Sequence, residues 1–320
     1  MKLLQPGFWY TKNIFTYVLY PVSFLYFVFS NILKLFKYEK KVSVPVICVG
    51  NLVMGGSGKT HTCIAIRKLI NKYFKKTTVL TKGYRGYQKK SHLVRSDDDF
   101  RKVGDDALIH SLYGPVCVSK NRVEGANYCI KHKANLIILD DGLQSKHIHK
   151  DLTLLIVDGK QKFGNKKLFP AGPLRELLYY GLNRYDAIIL VDIKECEFRQ
   201  EFQSKIPLFQ AKKEICINKT KKNVFAFCGI GFPQNFFNSL KDKGLNIVDR
   251  KVFGDHHIYN NNEIEEILRI AKLKKLDIIT TQKDYLRINE SYKKLIKYTK
   301  IEIIISEKKK LLSFVLQKIT

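Results

Sequence analysis

Short apolar runs recur along this chain, and most are too short to be helices. Val44–Gly50, Thr77–Thr81, Pro115–Ser119, Asn135–Asp140, Leu152–Asp158 and Asp186–Asp192 are continuous or nearly continuous in apolar residues. Runs of that length predict strands buried on both faces, as in a parallel sheet covered by helices. Between the first two, His61–Phe74 reads as a helix. The pattern predicts a doubly wound, mostly parallel α/β sheet, with ligands bound at the C-terminal strand ends. From Gln200 to Lys222 the chain turns Lys-rich and irregular. Strands at Asn223–Cys228, Asp277–Thr281 and Ile301–Ser306, with helices at Phe232–Lys243 and Glu263–Leu273, then predict a smaller second α/β domain. The expected organisation is a helical segment at 1–41, a main domain at 42–220 and a C-terminal domain at 221–320.

The N-terminal segment follows a different pattern. Asn13–Leu33 carries no charge and is rich in Phe, Tyr, Leu and Val, with lysines on both sides. Its length reaches what a spanning helix needs. No small-residue cleavage site follows, so it does not read as a signal peptide. The residues favour an interfacial membrane anchor: Pro21 is expected to kink a helix at its centre, and the tyrosines, with Trp9 just upstream, suit a headgroup-level position. A span and an ordinary buried helix are the alternatives.

Composition adds two constraints. With 45% hydrophobic residues in 320, the chain has enough apolar mass for a sizeable core. Lys plus Arg number 57 against 29 Asp plus Glu, a net charge of +28. Such a surface suits anionic partners, whether nucleic acid, lipid headgroups or a phosphorylated substrate, although a Lys-rich proteome produces the same excess. The seven cysteines are odd in number and include no Cys-x-x-Cys pair, which fits a reducing cytosol and not a disulfide framework.

The sharpest chemistry lies at Val53-Met54-Gly55-Gly56-Ser57-Gly58-Lys59-Thr60, between an expected strand and an expected helix. Glycines there turn backbone N–H groups onto phosphate oxygens, and the helix N-terminus adds its positive dipole end. Lys59 is expected on the β and γ phosphates of a nucleotide, and the Thr60 hydroxyl on Mg²⁺. Val53 stands where the general phosphate-loop pattern has its first glycine.

Several acids are candidates for the remaining roles. Asp140-Asp141 ends an apolar strand, where an acid holds Mg²⁺ directly or through water; a helix N-cap is the plain alternative. Asp105-Asp106 offers an acceptor for a hydroxyl proton, or equally a cap for a helix over 106–112. Arg175-Glu176 follows the rigid Phe169-Pro170-Ala171-Gly172-Pro173-Leu174 loop, which suits Arg on phosphate and Glu on Mg²⁺. Asp255-His256 reads as an Asp–His dyad, with His257 pointing elsewhere. His147 and His149 read as surface residues, and Thr281–Asp284 as a strand-end turn or a charged contact.

Together these elements resemble the tetraacyldisaccharide 4′-kinases, the lipid A 4′-kinases of Gram-negative bacteria, over nearly the whole chain. The phosphate loop is similar, including the non-glycine at Val53. Pro170–Glu176 and Asp140-Asp141-Gly142-Leu143-Gln144 match the family's elements. Thr81-Lys82-Gly83-Tyr84, Val103–Asp106 and Thr281–Asp284 resemble them with single changes, Phe253–His256 resembles the family's Asp-His element, and Ser145 replaces a usual His. The resemblance implies a P-loop kinase that moves the γ-phosphate of ATP to the 4′-hydroxyl of a tetraacyldisaccharide 1-phosphate, a lipid A precursor. It implies Asp105 as base with His256 as partner, and Lys59, Thr60, Asp140, Asp141 and Glu176 serving ATP and Mg²⁺. It also implies a peripheral protein on the cytoplasmic face of the inner membrane, with a second domain that closes over the active-site cleft. An anionic membrane surface is an expected partner; nucleic acid and an obligate protein partner are not. The main alternative is a membrane-associated P-loop ATPase or GTPase, but no Asn-Lys-x-Asp guanine motif is present. No recognised nucleic-acid module accompanies the basic surface.

Overall fold

The computed structural model describes residues 6–11, 13–35, 38–55, 58–182, 184–203 and 205–320. The chain divides into two compact units, Gln5–Lys213 with Ile303–Thr320, and Glu214–Glu302. The larger holds β1 (Val46–Gly50), β2 (Thr77–Thr81), β3 (His92–Leu93), β4 (Val116–Val118), β5 (Leu136–Asp140), β6 (Leu152–Asp158), β7 (Ala187–Val191) and the start of β8 (Leu208–Ile217). Their order across the sheet is β8-β7-β6-β1-β5-β2-β4-β3. Every pairing is parallel except β3 with β4. β1, β2, β5 and β7 are buried at every position, which is why β1 and β7 are unbroken apolar runs and β5 is one up to Asp140, while β2 buries three threonines beside Val79 and Leu80. β1 lies between β5 and β6, and Val49 pairs with Asp140. That register sets the start of the phosphate loop beside the acid that ends β5.

The smaller unit holds β9 (Asn223–Cys228), β10 (Asn246–Val252), β11 (Asp277–Thr281) and most of β12 (Ile296–Ile305), in the order β10-β9-β11-β12 and all parallel where pairing is described. Its core gathers Phe225, Phe227, Ile264, Ile267 and Ile278. The helix Asn261–Leu273 opens with a capping box between Asn260 and Glu263, satisfying amides that its first turn leaves free.

The doubly wound α/β plan is as expected, but three elements differ from the expectation. The stretch 200–222 is not irregular throughout, since it contains β8, whose Ala-Lys-Lys-Glu centre is only partly buried and breaks the apolar run. β10 alternates exposed and half-buried positions, so its Asn-Ile-Val-Asp-Arg-Lys-Val sequence hides a strand at the sheet edge. The final strand begins at Ile296 and not at Ile301, and the helix Lys308–Ile319 after it belongs to the larger unit.

The N-terminal segment forms helices at Ile14–Val18 and Tyr20–Leu35. Pro21 does not kink a helix at its centre. It is the second residue of the second helix, where no intrahelical amide donor is needed. Among the described residues, no helix is long and apolar enough to cross a membrane. The segment packs through Trp9 and Phe27 and through polar groups. Thr16 and Ser23 are buried, and Ser23 Oγ donates to Leu168 O at 3.0 Å while accepting from the Ala171 amide at 3.0 Å. Trp9 Nε1 donates to Pro170 O at 3.0 Å. Its outward side is apolar, with Ile14 72%, Tyr17 67%, Leu25 66% and Phe29 65% exposed.

Candidate active site

The phosphate loop joins β1 to the helix Lys59–Ile70. Gly58, which caps that helix, has φ of 74°, a left-handed conformation strained for any residue with a Cβ. Gly56 and Ser57 lie outside the described residues. At the loop's entrance Val53 bridges antiparallel to Leu174, Met54 N donates to Pro173 O at 2.8 Å, and Arg175 N donates to Leu52 O at 2.8 Å. Val53 is buried. The position that departs from glycine is thus a short β-bridge with a side chain in the core, and it fastens the phosphate loop to the Pro170–Glu176 loop.

Lys59 Nζ reaches Asn51 Oδ1 at 3.1 Å, Gly55 O at 3.4 Å and Asp141 Oδ2 at 3.6 Å. Asp141 also accepts from Arg175 at 2.7 Å. Two cations therefore converge on one carboxylate beside the loop. Burial pushes the Asp141 carboxyl up, but Lys59 and Arg175 outweigh it and hold the group below its ordinary range. Arg175 also donates to Gln144 Oε1 at 3.2 Å, and Gln144 Nε2 donates to Glu176 Oε1 at 3.3 Å. Buried Glu176 is anchored by Arg184 and Tyr185, each at 2.7 Å. Burial and then Glu176 push the Tyr185 phenol up, so it stays a donor.

Asp140 takes different partners. It is buried, with His110 Nε2 at 2.9 Å and Cys63 Sγ at 3.7 Å. The turn from Asp140 to Asp141, whose φ is 55°, is held by buried Arg122. Its guanidinium donates to Leu80 O at 2.8 Å, Asp140 O at 2.7 Å and Asp141 O at 3.2 Å. Burial lowers the Arg122 pKa. Thr60 Oγ1 donates to Asp106 Oδ1 at 3.1 Å. Asp105 is buried and is the first residue of the helix Asp105–Ser111, after Gly104 at φ of 87°. The helix expected over 106–112 thus starts one residue earlier. The four residues expected to hold a metal fall into three polar clusters: Thr60 on Asp106, Asp140 on His110 and Cys63, and Asp141 linked to Glu176 through Arg175 and Gln144.

In the smaller unit the adjacent histidines diverge, as expected. His257 Nε2 meets Glu263 at 2.9 Å, whereas His256 Nδ1 lies 3.3 Å from Arg287 and its Nε2 lies 3.7 Å from Asp255. Arginine only donates, so His256 Nδ1 accepts. Arg287 pairs at 3.2 Å with Asp284, which also accepts from Gly229 N at 3.0 Å, Tyr259 OH at 2.9 Å and Thr281 Oγ1 at 2.6 Å. The Thr281–Asp284 turn therefore supports the floor beneath His256.

Sequence reasoning missed Arg122, His110, Cys63, Arg184 and Arg287. None sits in a spaced motif; Arg122, His110 and Cys63 acquire their partners by long-range packing, whereas Arg184 and Arg287 meet Glu176 and Asp284 nearby in the chain.

A glycine-rich loop between a central parallel strand and a helix, with acids at the end of the neighbouring strand, defines a P-loop nucleotide-binding protein. The comparisons narrow this. The family model described as Tetraacyldisaccharide-1-P 4′-kinase matches residues 15–320. The tetraacyldisaccharide 4′-kinases of Rickettsia bellii and Rickettsia canadensis are 36% and 37% identical over 294 residues, 91% of this chain and 91% and 90% of theirs. A crystal structure of LpxK from Aquifex aeolicus in complex with ATP is similar with a TM-score of 0.81 at 26% identity, covering 96% of this chain and 100% of that one. The chain belongs to the tetraacyldisaccharide-1-P 4′-kinase family and is an ATP-dependent kinase.

Proposed function

We propose that the chain transfers the γ-phosphate of ATP to the 4′-hydroxyl of a tetraacyldisaccharide 1-phosphate in lipid A biosynthesis, with Asp105 as the base. The observation that carries this reading is the convergence of Lys59 and Arg175 on Asp141 at the phosphate loop. Those cations would exchange part of their contact with the carboxylate for the polyphosphate, which is the more highly charged partner. The hydroxyl oxygen forms a bond to the γ-phosphorus, the bond to the β,γ-bridging oxygen breaks, ADP leaves, and the hydroxyl proton passes to Asp105. His256 is its proposed partner.

Thr60, Asp140, Asp141 and Glu176 are the residues proposed to hold Mg²⁺. Their donors are all hard oxygens, which suits that ion, and the Thr60 hydroxyl already lies against a carboxylate oxygen of Asp106. When bound, Mg²⁺ supplies neutralisation of the β,γ-phosphate charge.

The outward apolar side of residues 14–32 supports an interfacial position on an anionic bilayer, at the cytoplasmic face of the inner membrane.

Incubation with labelled ATP and the tetraacyldisaccharide 1-phosphate tests the reaction. Labelled lipid is expected, and phosphate release without labelled lipid would overturn the reading. Asp105→Asn is expected to lower kcat by about 10²–10⁴-fold with ATP affinity nearly unchanged. Near-normal turnover would remove Asp105 as base.

A further inference from the structure

Three donor atoms of different chemistry meet behind the end of β5. Cys63 Sγ, from the helix after the phosphate loop, lies 3.7 Å from Asp140 Oδ1, and His110 Nε2 lies 2.9 Å from Asp140 Oδ2. All three ligand atoms lie within 4.8 Å of one another, and all three residues are buried. Among the described residues, the buried Nδ1 of His110 has no hydrogen-bond partner. A hydrogen bond alone explains His110 against Asp140. The Cys63 thiol, a weak donor, is directed at the same carboxylate, so sulfur, nitrogen and oxygen ligand atoms stand together.

We propose that Cys63, His110 and Asp140 form a binding site for a thiophilic divalent cation such as Zn²⁺, distinct in chemistry from the oxygen site for Mg²⁺. Zinc bonds of about 2.3 Å to sulfur and 2.0–2.2 Å to nitrogen and oxygen set tetrahedral donors roughly 3.3–3.6 Å apart. His110 Nε2 stands 2.9 Å from one Asp140 oxygen and Cys63 Sγ 3.7 Å from the other, with all the ligand atoms within 4.8 Å of one another, so the side chains close in on the ion as it seats. Mg²⁺ does not compete well here, since two of the three donors are sulfur and nitrogen. Cysteine binds metal as its thiolate, so the ion displaces the Cys63 thiol proton, which leaves to solvent as the metal–sulfur bond forms. Occupancy takes the Asp140 carboxylate that is also proposed for Mg²⁺, so Zn²⁺ inhibits the kinase by withdrawing that group.

The test uses the full chain with the more accessible Cys196 and Cys216 changed to Ser, because these would bind metal adventitiously. One equivalent of Co²⁺, added in excess Mg²⁺, is expected to give a cobalt–thiolate charge-transfer absorption that Zn²⁺ abolishes. Cys63→Ser is expected to remove the absorption and to weaken Zn²⁺ binding at least about 100-fold. Absence of the absorption, or its persistence in Cys63→Ser, overturns the site. If the substituted chain does not fold, X-ray absorption of the zinc-loaded chain that retains Cys63 decides. One sulfur at about 2.3 Å among lighter donors supports the site, and a shell of nitrogen and oxygen alone overturns it.

Discussion

Asp141 and His256 owe their chemistry to neighbours distant from them in the chain. Asp141 is kept ionised by Lys59 and Arg175, and its backbone is held by Arg122. His256 is oriented by Arg287, whose guanidinium is balanced by Asp284, with both side chains essentially inaccessible. Removing one partner of such a buried pair leaves an uncompensated charge, so Arg287→Ala is expected to cost about 3–5 kcal/mol in denaturant unfolding. A cost below about 1 kcal/mol would mean the pair is solvated in solution. Asp277 gives a pH signature in the same unit. Burial pushes its carboxyl up, but Lys297, the Lys221 amide and Thr220 outweigh it and hold it at about 2. Its unfolded value is about 3.9. The stabilisation it provides is therefore complete above about pH 4 and lost as pH falls toward 2. Melting curves of the unaltered chain and Asp277→Asn should differ by a constant amount above pH 5 and converge on acidification; a constant difference down to pH 2 contradicts the assignment.

At the scale of elements, short connections decide where functional groups stand. The Val53–Leu174 bridge fixes the phosphate loop against the Pro170–Glu176 loop, and so sets Arg175 against Asp141. Gly104 does the same for Asp105. Its φ is 87°, and a Cβ there would lie 2.6 Å from Tyr84 O, which is backbone and cannot rotate away. Gly104→Ala is expected to destabilise by about 1–3 kcal/mol and to lower kcat by displacing the start of the Asp105–Ser111 helix. Unchanged melting and turnover together would show that the segment adjusts without strain.

At the scale of the whole molecule, charge and the N-terminal segment address the same kind of partner. A net charge of +28 attracts anionic surfaces, and the exposed apolar side chains of the N-terminal helices supply the non-electrostatic contact. Deleting the segment would also disturb the 168–171 backbone that Ser23 and Trp9 hold. Changing Phe24, Leu25 and Phe29 to Ser is the cleaner test. Sedimentation with anionic vesicles should fall severalfold, with ATP affinity unchanged. Equal vesicle binding would show that the apolar side is not the membrane contact.

The sequence by itself determined the alternation of strands and helices and the phosphate loop, and it singled out Asp105, Asp140, Asp141 and Arg175 as candidates. Buried parallel strands must be continuous in apolar residues, and a phosphate-binding turn must be rich in glycine, so both are written locally. It did not determine β8 and β10, because partly exposed strands carry charged residues that break the apolar run. It left the function of Val53 open, and it misplaced Pro21 because helix ends depend on packing. Which side chains stand against each carboxylate was decided by tertiary structure alone. Arg122, Arg287, His110 and Cys63 reach their partners across 18, 3, 30 and 77 residues of chain, and for all but Arg287 no local pattern records a contact that only folding creates.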